Sequence, residues 1–112
     1  MAESEVRVYA FKPEPVSTVN LVATTATSSV KFNDFSSNVN NRVRKRAVRV
    51  FNSGAVTAFV EFGGSSVAAT LTTSMPVAAG QTAIFNAQDA SYAAVITPSS
   101  TATVYFTPGE GT

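Results

Sequence analysis

Alternating apolar and polar positions in the middle of the chain predict a β-hairpin. Residues Val48–Phe62 read VRVFNSGAVTAFVEF, two alternating runs separated by turn-forming residues. A three-residue loop, Asn52–Gly54, with its glycine in the left-handed conformation would place Val50 opposite Val56 and give the hairpin one apolar face. A two-residue loop would shift the register by one and mix buried with solvated positions, which a half-buried sheet does not tolerate. We therefore expect an antiparallel hairpin with a three-residue loop at the centre of the fold.

The same alternation predicts which side chains of the hairpin are buried. The predicted core residues are Val50, Ala58, Val60 and Phe62. Phe51 and Phe59 fall on the opposite face, where they either pack against a second layer of the fold or form part of a partner-contact patch. Tyr92 and Tyr105 have the same two interpretations, because pairing of the last two strands would bring them near one another.

Further short strands are predicted where alternation or β-branched composition lies between turn signals. They are Glu5–Phe11, a strand within Val16–Thr27 with Val19, Leu21 and Ala23 facing inward, Val30–Phe35, Val67–Thr73, Gln81–Phe85, Tyr92–Thr97 and Thr101–Thr107. The last two are expected to form a hairpin around Pro98, and residues 33–41 are expected to form a loop. Because no segment has a convincing helical period, we expect an all-β fold, an antiparallel β-sandwich or a small jelly-roll-like barrel of about seven to nine short strands.

The length of the chain predicts one folded unit. A chain of 112 residues can bury about two-thirds of its unfolded surface in a single core without disulfides or metal ions. We therefore expect a single β domain. In it, residues 1–45 supply N-terminal strands and a loop or arm, residues 46–107 supply the core sandwich strands, and residues 108–112 form a polar tail.

The residue types that are missing exclude several kinds of chemistry. The chain contains no Cys, no His and no Trp. Without Cys it has no thiolate nucleophile, disulfide framework or cysteine-based zinc site, and without His it lacks the usual general base and most transition-metal ligands. The carboxylates are spaced singly along the chain, without a local pair for acid–base catalysis. We expect a protein that is not an enzyme and that needs no cofactor or bound metal.

Overall charge does not direct the chain to nucleic acid or to a membrane. Only 13% of the residues are charged, and the net charge is +1. The N-terminus is acidic and alternating, and no run approaches the roughly 18 consecutive apolar residues of a membrane span, so we expect neither an export signal nor a transmembrane segment. Synthesis and residence in a cytoplasm are therefore the default expectation, and any electrostatic effect on a partner must be local.

The basic residues are concentrated immediately before the predicted hairpin. Residues Arg42–Arg49 read RVRKRAVR and hold five of the chain's eight Lys and Arg residues. If the strand that carries Val48 extended back unbroken, Arg42, Arg44 and Arg46 would lie on its buried face, where unpaired charge is costly. We expect this run to project beyond the core, either as a solvated strand end that keeps a sheet edge soluble or as a contact surface for an acidic partner. The predicted partner-binding residues are Arg42, Arg44, Lys45, Arg46 and Phe59.

Three segments resemble parts of small β-sandwich proteins found among the virion components of tailed bacteriophages. They are Val48–Ser66, Met75–Phe85 and Ala93–Gly111. The resemblance implies a non-enzymatic structural protein, in particular a capsid decoration (cement) protein bound over the junctions between major-capsid subunits.

The same resemblance implies where the protein acts and with what. The implied partner is the major capsid protein or another virion protein, and self-association into a homo-oligomer stays open. The implied location is the capsid surface of the virion, with the host cytoplasm as the site of assembly. The alternative function is a tail or spike module that binds a receptor or a carbohydrate.

Overall fold

Nine β-strands make up the regular structure of the residues that the computed structural model describes, namely 11–13, 16–32, 47–87 and 90–110. In chain order they are β1 (Lys12–Pro13), β2 (Val19–Ala23), β3 (Ser28–Lys31), β4 (Ala47–Asn52), β5 (Ala58–Gly63), β6 (Met75–Val77), β7 (Thr82–Asn86), β8 (Tyr92–Ile96) and β9 (Ala102–Glu110). These ranges contain no helix. The predicted strand 5–11, apart from Phe11, and the predicted loop 33–41 lie outside them.

The strands form two antiparallel sheets with the core between them. In sheet A the order is β1-β9-β4-β7, and β2 also pairs with β9. In sheet B the order is β3-β8-β5-β6. Four pairs are nested along the sequence, β2 with β9, β3 with β8, β4 with β7 and β5 with β6. Nested pairs divided between two sheets are the connectivity of a jelly roll, so the predicted fold class is confirmed.

The predicted hairpin between β4 and β5 is wrong, because these two strands belong to different sheets. Strand β4 pairs with β7 and β9, whereas β5 pairs with β6 and β8. Val50 lies opposite Ala83 and Phe106 instead of Val56, and residues 53–57 carry the chain from sheet A to sheet B. The alternation of buried and exposed positions within β4 is as predicted, because the two-residue period belongs to the strand and not to its partner.

Close packing, and not a left-handed backbone, explains the glycine in this crossing segment. Gly54 does not have a positive φ, contrary to the prediction. A Cβ built on Gly54 would lie 2.5 Å from Cβ and 2.6 Å from Cα of Ala102, the first residue of β9. The glycine therefore lets the crossing segment pass against the start of a strand that follows much later in the sequence.

The buried side chain of Asn52, at the end of β4, anchors the crossing. Its Nδ2 donates to the carbonyl oxygens of Val56 and Val77, both at 2.9 Å, and its Oδ1 accepts from the N–H of Gly54 at 2.9 Å. Val77 belongs to β6 of sheet B. One side chain thus ties the two sheets together.

A second crossing joins β8 of sheet B to β9 of sheet A, so the predicted hairpin around Pro98 is also wrong. Tyr92 and Tyr105 consequently lie in different sheets and do not form a pair across neighbouring strands. Strand β9 continues to Glu110 and pairs with β1 and β4 there. Residues 108–110, predicted as part of a polar tail, are therefore part of sheet A.

Residues 67–73 do not form the predicted strand. Local hydroxyl groups accept from their backbone instead: the N–H of Thr73 donates to Oγ1 of Thr70 at 3.0 Å, and the N–H of Thr70 donates to Oγ of the following Ser74 at 3.0 Å. Such bonds offer the backbone an alternative to a strand ladder. The strand of this region is β6, at a place where no strand was predicted.

The core contains most of the predicted residues. Val50, Ala58 and Val60 are fully buried, whereas Phe62, also predicted as buried, is only half-buried. The ring of Phe62 contacts the rings of Phe32 and Phe85, with centroids 6.1 and 5.6 Å apart. The predicted inward residues of β2 also face the core, and they are Val19, Leu21 and Ala23.

Candidate partner-binding face

The connection between β5 and β6, residues 64–74, lies across the outer side of sheet B and is called the covering segment. The N–H of Ala69 donates to Oγ1 of Thr27, next to β3, at 2.8 Å. Two strands further along the sheet, Oγ of Ser74 donates to Oε1 of Glu61 on β5 at 2.7 Å. Since β8 lies between β3 and β5, these two attachments hold the covering segment over the middle of the sheet.

Burial on the outer side of sheet B agrees with this covering. Ala94 alternates with the core residues Ala93 and Val95 and therefore points outward, yet it is 0% exposed. Phe59, predicted as a partner-binding residue, lies on the same outer side opposite Ile96 and is half-buried. The chain itself thus covers the middle of this face.

The outer side of sheet A, called the open face, keeps apolar and aromatic side chains exposed. Phe51 on β4 lies opposite Tyr105 on β9, and their rings stack with centroids 6.3 Å apart and 28° between the ring planes. Ile84 on β7 and Val22 on β2 are 41% and 53% exposed. Exposed apolar side chains on four strands of one sheet make this face a candidate surface for contact with a partner.

An open depression of about 420 Å³ lies on the open face. Its lining residues are Thr18, Arg49, Phe51, Thr82, Tyr105 and Thr107. The hydroxyl groups of Thr18 and Thr107 are hydrogen-bonded to each other, with their oxygens 2.8 Å apart. The depression therefore combines a stacked aromatic pair, aliphatic hydroxyl groups and one guanidinium group.

Arg49 carries the positive charge of this depression. It lies on β4 opposite Thr107 on one side and Ile84 on the other, and it forms no ion pair with any residue that the structure describes. Among the described residues, the lining contains no carboxylate, thiol or imidazole. This arrangement is suited to holding an anion beside an apolar group, because a guanidinium presents a planar fork of N–H donors and the ring pair presents apolar surface.

Four of the five predicted partner-binding residues fall outside the described ranges, and their role stays a prediction. They are Arg42, Arg44, Lys45 and Arg46. In the sequence, Arg46 directly precedes Ala47, the first residue of β4. The fifth, Phe59, lies in sheet B, so it does not share a face with the residues of β4.

The sequence marked Phe51 and Tyr105 separately as possible partner contacts but did not predict the open face, because its residues come from distant parts of the chain. Alternation alone places Arg49 and Phe51 on one side of β4, and it also marks Tyr105 as an exposed aromatic between the buried Val104 and Phe106. That Phe51 and Tyr105 meet depends on the pairing of β4 with β9. No local pattern predicts a pairing between strands so far apart.

No group of three His, Cys, Asp or Glu residues within the described ranges could hold a metal ion, and no helix in those ranges is long and apolar enough to cross a membrane. The sequence matches no protein-family model and has no significant similarity to a curated protein.

Proposed function

We propose that the protein is a non-enzymatic structural protein of a bacteriophage virion, a decoration (cement) protein that binds the capsid surface and stabilises it. The contrast between the two outer faces carries this proposal: sheet B is covered by residues 64–74, whereas sheet A leaves Phe51, Tyr105, Val22 and Ile84 exposed. The jelly roll itself supports it only by analogy, since this architecture is found in viral capsid proteins but also in lectins and cupins.

The composition of the open face fits a protein partner. Tyrosine, arginine and phenylalanine are enriched in interfaces, and tyrosine and arginine among the residues whose truncation costs most affinity. Tyr105, Phe51 and Arg49 lie together around one depression, and Val22 and Ile84 extend the apolar surface beyond it. A capsid subunit that covered this face would bury these side chains.

Binding of this kind stabilises an assembled shell by mass action. A ligand that binds only the assembled state adds RT ln(1 + [L]/Kd) at each site. Many weak sites on one capsid therefore resist disassembly together, and no catalysis is required. The major capsid protein is the proposed partner, with the host cytoplasm as the place of assembly.

The test is addition of purified protein to capsids from which it has been stripped. Capsids with the wild-type protein should melt at a higher temperature than stripped capsids. Phe51→Ala, on the open face, should restore less of that stability than wild type, whereas Leu71→Ala, a matched change in the covering segment, should restore it fully. Equal melting of stripped and wild-type-decorated capsids would contradict the proposal.

A second candidate function is a tail or spike module that binds a receptor or carbohydrate. The depression favours it, because a volume of about 420 Å³ lies in the range of small-ligand sites. The copy number in purified particles distinguishes the two functions. A decoration protein is present in numbers similar to those of the capsid subunits, whereas a tail module is present in a few copies.

A further inference from the structure

We infer that Arg49 binds a carboxylate of the partner protein in the depression, while an apolar side chain next to that carboxylate packs on the rings of Phe51 and Tyr105. The inference rests on the proposed function, because it names the chemistry of the partner at the open face. It assigns the anchoring role to Arg49, within the described part of the chain, and does not require the basic residues 42–46.

A partner that covers the open face must bring an anion to the guanidinium group of Arg49. Arg49 lies in the interior of the face, with β9 on one side of its strand and β7 on the other, and no described residue neutralises it. A partner that covered Phe51 and Tyr105 would also exclude water from the guanidinium group. Removing an arginine from water without supplying an anion is strongly unfavourable, so a partner that covers this face must bring one.

The hydroxyl groups beside Arg49 fit the same ligand. Thr107 lies directly opposite Arg49, and Thr18 is hydrogen-bonded to Thr107. Hydroxyl groups can donate to a carboxylate oxygen that already accepts from the guanidinium fork, and charge-assisted bonds of this type are shorter and stronger than neutral ones. Phe51 and Tyr105 line the same depression, which places the apolar contact beside the ionic one.

The surroundings favour a protein segment over an acidic saccharide. Val22 and Ile84 add exposed apolar surface on β2 and β7 that is not part of the depression lining. A saccharide held in the depression would leave both of these side chains in water. A protein segment that crosses the strands would cover them together with the aromatic pair, which is where burial contributes to affinity.

Substitution of Arg49 tests the inference on capsids that bind the wild-type protein. Arg49→Gln removes the charge and keeps most of the side-chain length, and Lys31→Gln, on an exposed position of β3 in sheet B, changes the net charge of the protein equally. Co-sedimentation should show binding at least about tenfold weaker for Arg49→Gln, as expected for an anchoring residue, and unchanged for Lys31→Gln. Arg49→Lys should bind between wild type and Arg49→Gln, because it keeps the charge but not the fork.

Titration of isotope-labelled protein with short ligands tests the same chemistry without capsids. The probes are a pentapeptide of alternating phenylalanine and aspartate, the same peptide with asparagine for aspartate, and a glucuronate-containing tetrasaccharide. Shifts at Arg49, Phe51 and Tyr105 with the acidic peptide only, absent in Arg49→Gln, are expected. A response to the saccharide alone, or to both peptides equally, or to no probe, would overturn the inference.

Failure of the inference and failure of the proposed function give different results. If the wild-type protein binds capsids and Arg49→Gln binds equally well, the decoration function stands and the inferred role of Arg49 is wrong. If the wild-type protein does not bind capsids but the acidic peptide shifts the three open-face residues, the chemistry of the depression stands and the capsid is not the partner.

Discussion

The two outer faces of this jelly roll differ in how much of each is covered by the chain itself. On sheet B the chain attaches its own covering segment at Thr27 and Glu61, and the outward-pointing Ala94 is completely buried. On sheet A the stacked rings of Phe51 and Tyr105 stay exposed beside Arg49, which has no ion pair within the described part of the chain. The middle of the covered face is closed by the chain itself, whereas the open face leaves its aromatic pair exposed to solvent.

The largest effect is expected from Asn52→Ala, which removes the link between the sheets that carry the two faces. The change leaves the carbonyl oxygens of Val56 and Val77 and the N–H of Gly54 without their present partner. We expect a loss of about 2 to 4 kcal/mol in the free energy of unfolding. Chemical denaturation measures it, with Asn20→Ala, at an exposed position of β2, as the control that should change little. Equal stability of both variants would contradict the anchoring role.

Truncation of Phe62 and of Phe51 compares how much core packing and the open face each contribute to stability. Phe62→Ala should cost about 2 to 3 kcal/mol of stability, below the range for a fully buried ring, because Phe62 is half-buried against Phe32 and Phe85. Phe51→Ala should cost about 1 kcal/mol or less, since it loses mainly the contact with Tyr105. Thermal unfolding measures both. A larger loss for Phe51→Ala than for Phe62→Ala would show that the open face is needed for folding.

A smaller effect is expected when the covering segment is released. Thr27→Val keeps the shape of the side chain but removes the acceptor for the N–H of Ala69, at a cost of about 1 kcal/mol. Amide hydrogen exchange at Ala69 should become faster. Thr18→Val, on the open face, removes a comparable exposed bond to Thr107 and should leave exchange at Ala69 unchanged. If Thr27→Val does not affect it, the attachment does not hold the covering segment in place.

The sequence predicted well which side of a strand is buried, but it predicted poorly which strands pair with each other. Alternation is a property of each strand, so the buried side of β4 and the inward residues Val19, Leu21 and Ala23 followed from it. The pairing partners of the strands did not follow from it, because a short loop such as Asn52–Gly54 suits a hairpin as well as a crossing between sheets. The contacts that distinguish the two, of Gly54 with Ala102 and of Asn52 with Val77, join residues that are distant in sequence.

Neither the covering of one face nor the residue neighbours on the other could be predicted from local sequence patterns. The segment 67–73 has the composition of a strand, but the hydroxyl group of Thr70 bonds both the N–H and the hydroxyl group of Thr73. The covering role of the segment depends on Thr27, which is distant in sequence. Arg49 was recognised only as one member of a basic run. Its position beside Tyr105 and Thr107 depends on pairing with β9, which is set by the whole fold.

The most direct test of the central claim, that sheet A carries the partner-binding face, is alkylation of single cysteines on each face. The chain has no natural cysteine, and Ile84 on the open face and Leu71 in the covering segment are almost equally exposed, at 41% and 43%. The alkylation rates of Ile84→Cys and Leu71→Cys are measured in the free protein and on capsids. Slower alkylation of Ile84→Cys on capsids, with an unchanged rate for Leu71→Cys, is the predicted result. Protection of Leu71→Cys alone, or of neither cysteine in a bound protein, would contradict the account.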